Sequence, residues 1–207
     1  MILKIILLSV LSYLIGAIPF ALIVGKVFYN QDIRTMGSGN LGTTNTFRCL
    51  GKKAGISVFV LDITKGMIAV WIPSLVLGNV DYLALFGACA MIGHIFPIFA
   101  NFKGGKAVAA GSGVFIFLYP TLSLILVAIF FSVLFLTGYV SLGSITISAF
   151  SIVYLALFEH TISSYIMIVM CMFVIYVHKK NIYRLLNGTE NKSKLKIKWG
   201  KNNDRNN

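Results

Sequence analysis

The sequence predicts an all-α polytopic membrane protein, and three observations carry that prediction. Of its 207 residues, 57% are hydrophobic and only 12% are charged, with a mean hydropathy of +0.86. A soluble domain carries about a quarter charged residues. Apolar runs of about 20 residues, the length that crosses ~30 Å of hydrocarbon, recur along the chain. Basic residues collect between or after these runs, and half of the 18 Lys and Arg follow Val177. The net charge of +12 therefore has the placement of positive-inside topology, which argues against nucleic acid as a partner.

The apolar runs occupy residues 3–29, 54–78, 81–100, 107–138, 141–158 and 161–177. The first is longer than the roughly 7–15 apolar residues of a signal-peptide core and lacks a small-x-small cleavage site, so it reads as a retained span. Lys4 stands at its start against five basic residues, Lys26 to Lys53, at and beyond its end, which puts the N-terminus outside. Six spans would then leave the basic C-terminus outside as well. Pro120 resolves the conflict, because proline removes a helix hydrogen bond and clashes with the preceding turn. Splitting the run there gives spans 107–119 and 121–138, about seven spans in all, and a cytoplasmic C-terminus. Residues 1–190 read as a single membrane-embedded domain and 191–207 as a basic tail. Within that tail, Lys194–Trp199 alternates basic and apolar residues and reads equally as a solvated tail or as one resting on the anionic leaflet. Cys49, Cys89 and Cys171 are odd in number and widely spaced, which suits free thiols.

Three polar clusters fall on one predicted side of the membrane. The first is GSGNLGTTNTFR, Gly37 to Arg48. It contains G-x-G-x-x-G, but no strand precedes it, so it is not a dinucleotide fingerprint. Gly37 and Gly39 can let backbone amides approach an oxyanion. Ser38, Asn40, Thr44 and Asn45 add polar side chains, and Arg48 a planar fork suited to phosphate. The second is GHIFPIFANFKGGK, Gly93 to Lys106. Ala107 stands where a P-loop needs Ser or Thr. Lys103 and Lys106 bracketing a flexible Gly104–Gly105 still read as an anion cradle. His94, inside the third span, reads equally as structural or catalytic. The third is HKKNIYRLLNGTE, His178 to Glu190. Its His178, Asn181 and Arg184 are spaced i, i+3 and i+6 and so share one helical face. Asp62 and Lys65 form an i, i+3 pair within the second span, where charge is costly.

A transporter would place its site near the bilayer midplane, commonly with inverted repeats. A transporter for phosphate or glycerol phosphate is the alternative reading. The clustering at one surface and the lack of an internal repeat favour an enzyme that joins a soluble anion to a membrane-dissolved partner.

In order and spacing, the three clusters resemble the three cytoplasmic motifs of the bacterial acyl-phosphate:glycerol-3-phosphate acyltransferases, and the likeness spans essentially the whole chain. The resemblance implies a multi-pass enzyme of the bacterial plasma membrane that moves a fatty acyl group from acyl phosphate to the sn-1 hydroxyl of glycerol 3-phosphate. The products would be lysophosphatidic acid and phosphate, the first committed step of phospholipid synthesis. A soluble partner enzyme would supply the acyl phosphate. Ser38, Arg48, Lys106, His178 and Asn181 would be active-site residues, the second motif would bind glycerol 3-phosphate, and Glu190 would be structural. Ala107 and Ala110 replace the family's usual Gly and Thr, and Thr43 a common Ala.

Acyl phosphate is already activated, so Ser38 reads as a hydrogen-bond donor and not a nucleophile. Arg48, Lys103, Lys106 and Arg184 would neutralise the phosphates. The base stays open: the resemblance implies the substrate's own phosphate, whereas residue type points to His178. The six acidic residues are scattered without ligand spacing, so no metal or cofactor is expected.

Overall fold

A computed structural model describes residues 1–193, all of whose regular structure is helical. The helices are α1 (Ile2–Ala17), α2 (Phe20–Tyr29), α3 (Thr43–Leu77), α4 (Ala84–Ile95), α5 (Val108–Leu118), α6 (Pro120–Thr137), α7 (Val140–Phe158), α8 (Ile162–Val177) and α9 (Lys179–Leu186). Short 3₁₀ turns lie at Ile33–Thr35 and Ile98–Ala100. The expectation for Lys194–Trp199 falls outside the described residues. The packed chain runs slightly past the expected boundary at 190, since the Ser193 amide donates to the Gly138 carbonyl at 2.7 Å.

Four stretches are long and apolar enough to cross a membrane: Ile2–Tyr29, Thr43–Leu77, Pro120–Thr137 and Val140–Phe158. The α8–α9 pair, bent by 53°, makes a fifth, and α4 and α5 are shorter apolar helices. The chain does break before Pro120. α5 ends at Leu118, Tyr119 leaves helical geometry, and Pro120 opens α6 at the first-turn position where its missing N–H costs nothing. Two breaks were not expected. Pro19 separates α1 from α2, and Gly51 (φ 86°) divides α3 into a short helix over 43–50 and a long one beyond it.

Large apolar side chains face outward along these helices, among them Leu7, Val10, Leu124, Leu136, Val153, Leu157 and Val169. Water would not tolerate so continuous an apolar surface on a monomer, and lipid does. Hydrogen bonds between connections sort them into two ends. At one end, Ser163 N donates to Asp81 O (2.8 Å), joining the α3–α4 and α7–α8 links. At the other, Leu41 N reaches Gly104 O (3.4 Å), joining the α2–α3 and α4–α5 links, and Ser193 reaches the α6–α7 link. The three polar motifs therefore lie together at one end.

Helix association in lipid depends on close backbone approach at small residues. A Cβ on Gly113 of α5 would sit 2.0 Å from the Ile63 carbonyl oxygen of α3, so the two backbones touch there. Ala110 is fully buried on the same helix contact, its carbonyl facing Gly66. Gly111, by contrast, faces only the flexible end of Met91 at 3.0 Å. We expect Gly113→Ala to destabilise the detergent-solubilised protein by about 1–3 kcal/mol. Gly111→Ala should be neutral or slightly stabilising, because helical Gly costs up to ~1 kcal/mol relative to Ala. Thermal unfolding measures both, and equal midpoints for the two variants would contradict the assignment.

Candidate active site

The first motif is a loop wrapped around one amide side chain. Asp32 opens the turn before it, accepting from Arg34 N (3.0 Å) and pairing with the Arg34 guanidinium at 2.6 Å. That guanidinium holds the Asp32 carboxyl well below the usual carboxylate range. Gly37 and Gly39 then adopt positive φ (58° and 70°). At the centre Asn45, 2% exposed, accepts from Ser38 N (2.9 Å) and donates to Met36 O (3.1 Å) and Ile33 O (3.4 Å). A side chain on Gly37 would meet Asn45 Oδ1 at 2.4 Å, so this glycine serves the clamp. The Gly39 amide donates to Met36 O (2.9 Å). Asn45 and the Ser38 and Gly39 amides, expected to be free for an anion, are engaged within the loop. A short turn cannot leave buried amides unpaired, and this correction follows from that. Ser38, Thr44 and Arg48 are left exposed, with Asn40 half-buried, and Arg48 lies on the short helix that ends at Gly51.

The second motif closes over the end of α4. Gly104 N donates to Ile95 O (3.2 Å) and Gly105 N to His94 O (3.1 Å), satisfying carbonyls that a helix end leaves free. Any Cβ at Gly104 would come within 2.1 Å of the His94 carbonyl oxygen, and one at Gly105 within 2.2 Å of His94 Nε2. The expected flexible Gly-Gly cradle is therefore a pinned cap: the glycines let the loop lie on α4. Asn101, Phe102 and Ala107 take positive φ (54°, 57° and 56°) around it. Lys103 points outward, exposed, while Lys106 turns inward, half-buried.

The third motif does not continue one helical face. α8 stops at Val177, and His178 (φ −86°, ψ 5°) forms the bend that starts α9. His178 is 3% exposed, with Nδ1 2.7 Å from Val174 O. A carbonyl only accepts, so Nδ1 carries the proton and Nε2 is the ring's other nitrogen. Asn181 and Arg184 do share a face of α9, and both meet Glu190. Glu190 accepts from Asn181 Nδ2 (2.7 Å), Ser141 Oγ (2.9 Å) and Arg184 Nε (2.6 Å). Arg184, expected among the phosphate ligands, is thus the partner of a buried carboxylate. Ser141, on α7, was not anticipated; nothing in the sequence separates it from the other serines of that helix.

The second and third motifs meet where Lys106 Nζ donates to Asn181 Oδ1. Lys106, Asn181, Glu190, Arg184 and Ser141 form one connected network, and Leu41 ties the first loop to Gly104. Burial pushes Lys106 down to about 8; Glu190 opposes this, and Arg184 and Arg48 add to it. Burial, with Lys106 second, pushes His178 down to about 4, so its ring is neutral at pH 7. Burial alone would raise Glu190, but its bonds from Arg184, Asn181 and Ser141 outweigh that and hold it low. The result is a cationic cluster with Arg48 and Lys106 within electrostatic reach of each other and a neutral imidazole close to Lys106.

Comparison with known proteins identifies the family. A family model described as glycerol-3-phosphate acyltransferase matches residues 6–188. The glycerol-3-phosphate acyltransferases of Macrococcus caseolyticus and Bacillus subtilis are 46% and 47% identical over 93% of this chain, covering 99% and 97% of those proteins. Among solved structures the chain is similar to PlsY (YgiH), an integral membrane glycerol 3-phosphate acyltransferase. The glycerol 3-phosphate form matches with a TM-score of 0.85 and 36% identity over 90% of this chain and 94% of that one. The lysophosphatidic acid form matches at 0.83 and 34%, over 92% and 95%. With three motifs gathered at one end of a lipid-facing bundle and likeness over nearly its whole length, the chain belongs to the glycerol-3-phosphate acyltransferase family.

Proposed function

We propose that this membrane acyltransferase moves a fatty acyl group from acyl phosphate to the sn-1 hydroxyl of glycerol 3-phosphate at the cytoplasmic face of a bacterial plasma membrane. A soluble enzyme supplies the acyl phosphate, and a single membrane-embedded domain carries the site. The observation that carries the reading is the junction of Lys106 with Asn181, within electrostatic reach of Arg48 and Arg184. Lys106 and Arg48 hold the phosphates, with Lys103 at the rim. Asn181 and Glu190 fix the Lys106 ammonium, and Gly37, Gly39, Asn45, Gly104 and Gly105 shape the loops. Asn40 and Thr44 offer further polar groups to the substrate.

The glycerol hydroxyl oxygen attacks the acyl carbonyl carbon, the carbon–oxygen bond to phosphate breaks, and the hydroxyl proton passes to a phosphate oxygen. His178 at about 4 is a weaker base than a phosphate monoester dianion, whose second pKa is about 6. The imidazole therefore orients the hydroxyl through Nε2, and the substrate's own phosphate takes the proton. Ser38 is exposed, which suits a hydroxyl that donates to developing charge.

The donor assay tests the reading as a whole. Purified protein with labelled glycerol 3-phosphate should form product from acyl phosphate without a divalent metal. Equal rates with acyl-CoA, or a covalent acyl-enzyme trapped at Ser38, would sink it.

Basic residues collect at the motif end, and with seven passes the N-terminus lies outside and the C-terminus inside. Single cysteines placed near Thr43 and Gly104 should resist an impermeant thiol reagent in intact cells, whereas ones near Asn79 and His160 should react. The reverse pattern would invert the topology.

The pH dependence follows from Lys106. Its folded pKa, about 8, lies below the ordinary 10.5, so the cation is present below pH 8 and lost as pH rises through it. The specificity constant for glycerol 3-phosphate reports the free enzyme and should fall above about pH 8. Glu190→Gln removes the anion that supports the Lys106 charge and should move that limb to lower pH. A pH-independent profile up to pH 10 would contradict the role given to Lys106.

A further inference from the structure

The chemistry above leaves three buried ionisable groups unused. Asp62 and Lys65 on α3 are 1% and 3% exposed, and His94 on α4 is 6% exposed. Lys65 Nζ lies 2.9 Å from Asp62 Oδ1 and donates to the Ile18 carbonyl (2.8 Å) at the break between α1 and α2. His94 Nδ1 approaches the same carboxylate oxygen at 3.6 Å. Among the described residues, neither His94 Nδ1 nor the second Asp62 oxygen has a hydrogen-bond partner, so the ring faces this carboxylate without a competing bond at Nδ1. An ion pair at this depth adds little stability over an apolar pair of similar volume, which leaves its presence unexplained by folding alone.

The other side of the same histidine touches the second motif. A Cβ on Gly105 would fall 2.2 Å from His94 Nε2 and 3.1 Å from Cδ2, so the ring is the wall on which Gly105 rests. The His94 and Ile95 carbonyls hold the Gly105 and Gly104 amides. Lys106 is the next residue and meets Asn181. A continuous set of contacts thus runs from the Ile18 carbonyl through Lys65, Asp62 and His94 to the backbone one residue before Lys106.

We propose that His94, held by the buried Asp62–Lys65 pair, is a positioning residue for glycerol 3-phosphate. Its ring seats Gly105 and so fixes where the Lys106 ammonium stands. This rests on the reading of Lys106 as a phosphate ligand, and Lys106→Ala checks that reading separately: unchanged KM there would overturn the role of Lys106 itself.

Asp62→Leu/Lys65→Met removes the pair together, avoiding a lone buried charge, and leaves His94 without its carboxylate. His94→Gln keeps the pair but removes the ring. Both variants, purified in detergent, are compared with the native chain for thermal unfolding, kcat, KM and the alkaline limb of the pH profile. We expect near-native unfolding for the double variant and, in both variants, KM for glycerol 3-phosphate raised by about tenfold to a hundredfold, the effect of misplacing a binding group by a fraction of an ångström to 1 Å. Changes in kcat should be smaller, and the limb near pH 8 should be displaced. Native KM and an unmoved limb in either folded variant would overturn the proposal. Loss of the folded protein in both would assign the three residues to folding and overturn it equally.

Discussion

The Glu190 carboxylate is tied to three side chains on two helices at once: Ser141 on α7, and Asn181 and Arg184 on α9. Its side chain is 7% exposed, so its charge has little water to stabilise it. Removing one partner from such a group leaves an unpaired buried charge, which is why these contacts act as a unit. Through Asn181 the same carboxylate reaches Lys106, and through Lys106 the second motif. The bend at His178 makes this possible: a straight continuation of α8 would carry Asn181 and Arg184 away from α7.

The second motif is shaped by a different constraint. α4 ends inside the bundle, and its last carbonyls need donors that lipid does not offer. The Gly104 and Gly105 amides supply them, and only glycine lets the loop approach so closely. The loop around them puts Asn101, Phe102 and Ala107 in left-handed conformations, which Asn tolerates and which cost Phe102 and Ala107 roughly 1–2 kcal/mol each. Satisfying buried backbone groups at α4 offsets that strain. Preorganisation of Lys106 is a consequence of how a helix end is capped.

Like charges crowd around Lys106. Arg48, Lys106 and Arg184 lie near enough that two of them depress the third, and Glu190 only partly compensates. In the proposed function an incoming phosphate dianion would relieve that repulsion and hold the Lys106 proton more firmly, so binding and charge would be coupled. Donors fixed before the substrate arrives need no rearrangement when charge develops on the leaving phosphate. His178, neutral and oriented by Val174, fits beside this arrangement without adding to the positive charge.

The helical class, the break at Pro120, the common end of the three motifs and the family were all legible in the residues. Apolar run length, proline chemistry and charge placement are local properties that the bilayer converts directly into helices and sides. The involvement of Lys106 and Asn181 was legible too, as motif content. Their junction was not, nor was the commitment of Arg184 to Glu190, of Asn45 to its own loop, or of Gly104 and Gly105 to the α4 cap. The junction depends on residues 75 positions apart, the Arg184–Glu190 pair on how the chain folds back after α9, and the others on how a turn disposes of its own amides. Sequence spacing states which groups are available. Only the packed bundle determines which hydrogen bonds they have already made, because in lipid every buried polar group must find its partner within the protein.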